Sequence, residues 1–127
     1  MGDYIMSVEG LWTVQFAKSE EEHAGILVEE QMARGGIIVL TGNRMYGGGL
    51  SYYFVGTYKM TDANIELTIF ATRYNDIVPG PFGPVDEVRF IFNGHVNGQS
   101  MILHGHVENE PNKKLVIRAQ QRTGLTS

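Results

Sequence analysis

The residues best suited to carry chemistry are histidines in the C-terminal third of the chain. His104 and His106 are two residues apart, so on a β-strand their side chains share one face. An Asn-Gly pair at 97–98 is a strong signal for a two-residue hairpin turn. Such a turn places His95 opposite Ser100, four residues and about 13 Å along the strand from His104. A third histidine ligand is then out of reach and a two-histidine zinc site is atypical, so the pattern predicts no metal and no other cofactor.

The other reactive side chains do not form a catalytic motif. No serine lies in a Gly-x-Ser-x-Gly elbow or beside an identifiable base. Asp86 and Glu87 are adjacent, and neighbours on a strand point to opposite faces, so the two carboxylates cannot act on one atom. The glycines at 47–49 precede neither a Lys-Ser/Thr pair nor a helix, which argues against a phosphate loop. Because the chain has no cysteine, disulfides and thiol nucleophiles are excluded. We expect no catalytic residues and a protein that is not an enzyme.

Length and charge narrow the class of protein further. One hundred and twenty-seven residues predict a single domain over 1–127, with frayed ends at 1–7 and 122–127. The net charge is −4, and the densest positive region, around Arg118 and Arg122, has four charges in ten residues. That is too few to follow a phosphate backbone, so no nucleic-acid binding is expected. The absence of a signal-peptide pattern and of a long apolar run predicts a cytoplasmic protein without membrane contact.

The elements that must position these residues are β-strands. Trp12, Val14 and Phe16 alternate with polar residues, which is the period of a half-buried strand. The stretch from Gly35 to Tyr58 contains three further strands joined by glycine turns. The predicted strands cover 9–17, 36–41, 44–47, 51–60, 65–74, 85–96, 99–108 and 113–121. Eight strands in simple sequence order tend to close and so remove exposed edges. The fold class is therefore predicted as all-β, an eight-stranded antiparallel up-and-down barrel.

One short helix is expected after the first strand. Ser19 followed by Glu22 matches a capping box, and the glycines at 35–36 supply a stop. Apolar residues between these signals share one helical face. The alternative is that residues 25–30 form an extra strand. Placed after the first strand, a helix over 19–34 would cover one mouth of the barrel.

Glycine and proline indicate local departures from regular strands. Gly56 lies in the middle of a strand and predicts a bend or a close backbone approach. Gly94 predicts a bulge. Three prolines within 75–84 exclude a helix or central strand there, so this segment is predicted as the longest loop.

The first strand begins with Gly10-Leu11-Trp12, which resembles the Gly-x-Trp signature of lipocalins and their relatives. In that group the tryptophan closes the barrel floor, often beneath an arginine of the last strand. The resemblance implies that Trp12 lies at the floor, and Arg118 or Arg122 would supply the arginine.

A second resemblance covers most of residues 8–121. It rests on the order of a Gly-Gly apolar strand, a short strand, a second Gly-Gly turn and a tyrosine-rich strand with an internal glycine. It includes the strand end Arg73-Tyr74-Asn75 and the stretch from Leu103 to Val107. This pattern resembles the type III secretion negative-regulator (GrlR-like) family, bacterial proteins with a lipocalin-like barrel that bind a transcriptional activator. The resemblance implies the same fold and a regulatory role through protein binding.

This chain differs from the family at the turn with which the family binds its partner. The family uses an acidic run between the fourth and fifth strands, whereas this turn contains a single acid. The residues of this candidate partner-binding turn are Thr61, Asp62, Ala63 and Asn64. The fold therefore transfers from the family more readily than the identity of the partner.

Two functions remain open at this point. The first is a bacterial regulatory or interaction protein that binds a protein partner, such as a transcriptional regulator. The alternative is an intracellular carrier of a small apolar ligand, with Trp12, Phe54 and Phe90 lining the lumen. The sequence does not distinguish a filled lumen from a hollow one. A homodimer is a further hypothesis, through an outer face that carries Phe70, Ile91 or Met101.

Overall fold

The computed structural model describes residues 7–18, 34–76 and 85–125. The predicted helix and the alternative strand at 25–30 lie outside these residues, apart from Arg34, which begins the second strand. In the described part of the chain no helix is long and apolar enough to cross a membrane. The eight strands are β1 Gly10–Lys18, β2 Arg34–Thr41, β3 Arg44–Gly48, β4 Tyr52–Thr61, β5 Asn64–Arg73, β6 Glu87–Asn97, β7 Ser100–Val107 and β8 Glu110–Thr123.

The strands form one closed antiparallel barrel. Each strand pairs with its neighbour in sequence, and β8 pairs with β1 to complete the ring. Closure gives every strand two hydrogen-bonded neighbours, so the sheet has no free edge. The predicted all-β, eight-stranded antiparallel up-and-down barrel is confirmed. The last strand runs to Thr123, two residues beyond its predicted end.

The hydrophobic core lies inside the barrel and is built from alternate residues of the strands. On β5, for example, Ile65, Leu67 and Ile69 are buried, while Glu66 and Phe70 are exposed. The largest fully buried side chains of the interior are Trp12, Phe92, Leu40, Met45, Ile65, Leu67, Met101 and Leu103. The hypothesis that Met101 lies on an outer apolar face is therefore wrong, since it shares the inward face of β7 with Leu103.

Glycines allow neighbouring strands to approach closely. A Cβ atom on Gly56 would lie 1.9 Å from the carbonyl oxygen of Thr68 on β5, so no other residue fits there without moving the backbone. The predicted close approach at Gly56 is confirmed. Gly94 has a similar environment, 2.1 Å from the carbonyl oxygen of Ile102. Its pairing with both neighbouring strands is regular, so the predicted bulge at Gly94 is wrong. Glycine is required at this position because the backbone of the neighbouring strand leaves no room for a Cβ atom.

The hairpin between β6 and β7 turns one residue later than the sequence predicts. Asn97 pairs with Ser100, so the turn consists of Gly98 and Gln99, and Gly98 has a φ of 63°. A shift of one turn position moves the register of the pair by two residues. His95 consequently lies opposite Ile102, not opposite Ser100.

Candidate functional site

A row of apolar side chains crosses the outer face of four adjacent strands. Val39 pairs with Tyr46, Tyr46 with Val55, and Val55 with Phe70. These four residues, which we call the apolar stripe, alternate with the core residues of β2 to β5 and therefore point away from the barrel. Regular strand pairing thus brings together residues that are distant in sequence, from Val39 to Phe70.

Two further apolar side chains extend the stripe by one row. Ile37 and Tyr53 both pair with Gly48, which has no side chain to separate them. Together with Tyr46, Val55 and Phe70, they are between 39% and 47% exposed. An aromatic side chain exposed to this extent contributes roughly 100 Å², so the patch measures roughly 400 Å². That is the size of the functional apolar patches of ordinary monomeric proteins.

A charged pair closes one end of the apolar stripe. Arg89 pairs with Phe70 across β5 and β6, and its guanidinium carbon lies 4.7 Å from the centre of the Phe70 ring. Arg89 also forms an ion pair with Glu108, with 3.4 Å between Nη1 and Oε1. The cation covers part of the ring and gives the patch a polar rim, the arrangement found around the apolar centres of protein interfaces.

The candidate partner-binding turn lies at the end of β4 and β5, away from the apolar stripe. Asp62 is exposed and has a positive φ of 56°. The carbonyl oxygen of Ala63 accepts a hydrogen bond of 2.8 Å from the Val96 amide, which holds the turn against β6. Six residues of strand separate Asn64 from Phe70, or about 20 Å. The structure therefore keeps this turn and the apolar stripe apart.

The three predicted lumen residues all face the interior, but only one is partly exposed. Trp12 is fully buried, and its Nε1 donates a hydrogen bond of 2.8 Å to the carbonyl oxygen of Val8. Phe90 is buried beside Phe92, with 5.9 Å between ring centres. Phe54 is half-buried and meets Phe16 edge to face at 6.4 Å. Accessible aromatic surface inside the barrel is thus found at Phe54 and Phe16.

A glutamine occupies the place where the lipocalin resemblance implied an arginine. Gln121 pairs with Trp12, is buried, and donates from Nε2 to the carbonyl oxygens of Glu9 at 2.9 Å and Ser7 at 3.2 Å. Arg118 and Arg122 are exposed, because strand alternation puts them on the outer face of β8. The expectation of an arginine above Trp12 is therefore wrong. Sequence reasoning missed Gln121; the signal that could have found it is its shared strand parity with Ala119, since both are buried.

Charged and aromatic groups hold the described residues that follow β5 and precede β6. Arg73 forms ion pairs with Asp76 and Asp86, and the hydrogen bond with Asp86 raises the pKa of the Arg73 guanidinium. The Tyr52 hydroxyl donates a hydrogen bond of 2.6 Å to the carbonyl oxygen of Val85, and the Tyr74 hydroxyl donates to that of Gly49. Asp86 therefore has a structural role.

The structure brings no third metal-binding side chain to the histidines in the described part of the chain. His95 and Asn64 lie side by side, with 3.3 Å between Nδ1 and Oδ1. His106 Nδ1 lies 2.8 Å from the carbonyl oxygen of Val107. Among the described residues, no three metal-binding side chains come together.

The fold defines the class of protein as an eight-stranded antiparallel β-barrel with an apolar patch on its outer wall. No protein-family model matches the sequence, and none of the curated proteins is similar to it. These comparisons therefore show no family for this chain.

Proposed function

We propose that this chain is a non-enzymatic regulatory protein of the bacterial cytoplasm that acts by binding another protein. The observation that supports this function is the apolar stripe on the outer wall, formed by Val39, Tyr46, Val55 and Phe70, of which the last three are exposed. The sequence pattern shared with the type III secretion negative regulators supports the same role, with a transcriptional regulator as the partner.

The composition of the patch favours a protein as its occupant. Tyrosine and phenylalanine are enriched in the centres of protein interfaces, where a polar rim surrounds them. The stripe has part of such a rim, because the Arg89–Glu108 pair borders Phe70 at one end. A standard interface buries about 800 Å² on each partner, about twice the area of the apolar patch. The partner is therefore expected to cover the stripe and a polar margin of similar area.

The test compares variants of the stripe with a matched variant elsewhere. Phe70→Thr and Tyr46→Thr remove exposed aromatic surface and retain a residue that favours strands. Ile102→Thr is the control, since Ile102 is also an exposed apolar residue, on β7 outside the stripe. The tagged proteins are used to capture partners from bacterial cells, and the captured protein is then purified and titrated. We expect binding by the wild type and Ile102→Thr, and at least tenfold weaker binding by the stripe variants.

Two results of this experiment would contradict the proposal. One is equal binding by all variants, which would remove the stripe from the interface. The other is a wild-type protein that sediments as a dimer and becomes a monomer with Phe70→Thr, which would make a second copy of this chain the occupant. Asp62→Asn tests the candidate turn separately, because that turn lies about 20 Å from the stripe.

The partly exposed aromatic groups inside the barrel favour a second candidate function. Phe16, Tyr52, Phe54 and Val88 pack against the core yet are only half-buried. A carrier would use this apolar end of the lumen for a small ligand. Phe54→Ala is then expected to reduce the amount of small molecule that co-purifies, whereas Phe70→Thr leaves it unchanged.

A further inference from the structure

A second surface, on the opposite wall of the barrel from the apolar stripe, has a different chemistry. It is a shallow depression of about 560 Å³ on the outer face of β7, β8 and β1. Strand pairing aligns Ser100 with Gln120 and Thr13 in one row, and Ile102 with Arg118 and Gln15 in the next. We call this surface the polar groove; the residues that give it its character are Thr13, Gln15, Ser100, Arg118, Gln120 and Arg122.

The polar groove carries positive charge without a compensating carboxylate. Among the described residues that line it there is no aspartate or glutamate, although the whole chain has a net charge of −4. Arg118 makes no side-chain hydrogen bond or ion pair with any residue that the structure describes. Arg122 is bonded to a neutral group, with its Nε donating to the Thr13 hydroxyl at 2.9 Å. Both guanidinium groups therefore retain donors for an external anion.

The spacing of the two arginines matches an extended chain. They are four residues apart on one face of β8, which corresponds to about 13 Å. In an extended peptide, side chains on one face recur about every 6.6 Å, so carboxylates four residues apart reach both guanidinium groups. Gln120 lies between the arginines, and its Oε1 accepts a hydrogen bond of 3.0 Å from the Ser100 hydroxyl.

We infer that the polar groove binds an extended acidic segment of a partner protein, with glutamate or aspartate on alternate residues. Charge complementarity selects this occupant, since two arginines face outward from a groove whose described lining contains no carboxylate. The inference does not depend on the apolar stripe, which lies on β2 to β5.

The same surface suits a nucleic acid less well. Proteins that bind single strands combine many phosphate contacts with aromatic platforms for the bases. The polar groove has two arginines and no tyrosine, phenylalanine or tryptophan in its lining. The net negative charge of the chain also repels a polyanion at longer range.

The test uses the full chain and a fluorescein-labelled decapeptide in which glutamate and threonine alternate. Fluorescence anisotropy should show binding that weakens between about 0.05 and 0.3 M salt. Arg118→Gln and Arg122→Gln should each weaken binding about two- to fivefold, the range for exposed ion pairs. Arg44→Gln, which removes an exposed arginine on β3, is the matched control and should leave binding unchanged. Phe70→Thr should also have no effect, which separates this surface from the apolar stripe.

Three results would overturn the inference. They are absence of binding to the glutamate peptide, equal binding of a peptide with glutamine in place of glutamate, and equal weakening by Arg44→Gln. Tighter binding of a ten-nucleotide oligothymidylate than of the peptide would reassign the groove to nucleic acid. Far-ultraviolet circular dichroism of each variant verifies that the barrel is intact.

Discussion

At the scale of single residues, the ends of the barrel depend on buried polar groups. The indole of Trp12 and the amide of Gln121 both bond to backbone carbonyl oxygens of residues 7–9. The Gln121 bonds attach the chain segment before β1 to the last strand, and the Trp12 bond attaches it to β1. A buried donor without an acceptor is costly, so each of these side chains is suited to its position by its donor as much as by its shape.

Replacement of Gln121 tests this attachment. Gln121→Ala removes two hydrogen bonds and is expected to lower the free energy of unfolding by about 1–3 kcal/mol. Urea denaturation provides the measurement. Gln99→Ala is the control, because that side chain is exposed in the β6–β7 turn, and a change within about 0.5 kcal/mol is expected. Equal effects of the two substitutions would show that the Gln121 bonds do not stabilise the fold.

A buried tyrosine predicts how stability depends on pH. Burial raises the pKa of Tyr58, a hydrogen bond with the Asn43 backbone lowers it, and the charge of Glu9 raises it, with a net upward shift. The folded state therefore holds this proton more tightly than the unfolded chain, where the pKa is about 10. The stabilisation is complete below pH 10 and declines as pH rises from there through the folded-state pKa.

Tyr58→Phe should remove the loss of stability at alkaline pH that is due to Tyr58. Thermal unfolding between about pH 8 and 11 should show a smaller decline for this variant than for the wild type. Tyr46→Phe, which changes an exposed tyrosine, should retain the wild-type decline. A parallel decline in wild type and Tyr58→Phe would exclude Tyr58 as the cause.

At the scale of strands and turns, two features of the sequence predict most of the fold. They are the alternation of apolar with polar residues and the positions of the glycines. The eight strands follow from period-2 patterns and turn residues, and their order follows from short connections. The register was harder to predict, because Asn97, Gly98 and Gln99 allow two positions for the same hairpin turn. The two turn positions place different residues opposite His95. Only the pairing along the whole of β6 and β7 selects the turn that is observed.

The candidate surfaces were less predictable than the strands. Phe70 was identified as an outward apolar residue, but its neighbours in the stripe come from three other strands. Their proximity depends on the register of β2 to β5. The contacts of Gln121 depend instead on closure of the barrel between β8 and β1, since its partners lie more than a hundred positions earlier in the chain.

Glycines inside the strands lie so close to neighbouring backbone that adding one methyl group there is expected to destabilise the fold strongly. Gly56→Ala would bring Cβ to 1.9 Å from the Thr68 carbonyl oxygen, so the β4–β5 pair must separate. We expect a loss of about 3 kcal/mol in the free energy of unfolding, the upper range for overpacking. Gly98→Asn is the control, since no atom lies within 4 Å of its Cβ position and asparagine tolerates a positive φ. A stable Gly56→Ala protein would contradict the close approach.

At the scale of the whole molecule, the barrel separates three environments. An apolar stripe crosses β2 to β5, a polar groove with two arginines crosses β7, β8 and β1, and half-buried aromatic residues face one end of the interior. Because the closed sheet holds these regions in fixed positions, each can be altered without the others. The proposed regulatory function requires the outer wall, whereas the alternative function of a carrier requires the interior.

Native mass spectrometry of the protein purified from bacterial cells, without removal of lipids, tests the proposed function most directly. Binding through the apolar stripe predicts a complex whose additional mass is that of a different protein. This complex should be absent for Phe70→Thr and present for Ile102→Thr. A small mass excess that survives Phe70→Thr and disappears on denaturation would contradict the regulatory function and identify the barrel as a carrier.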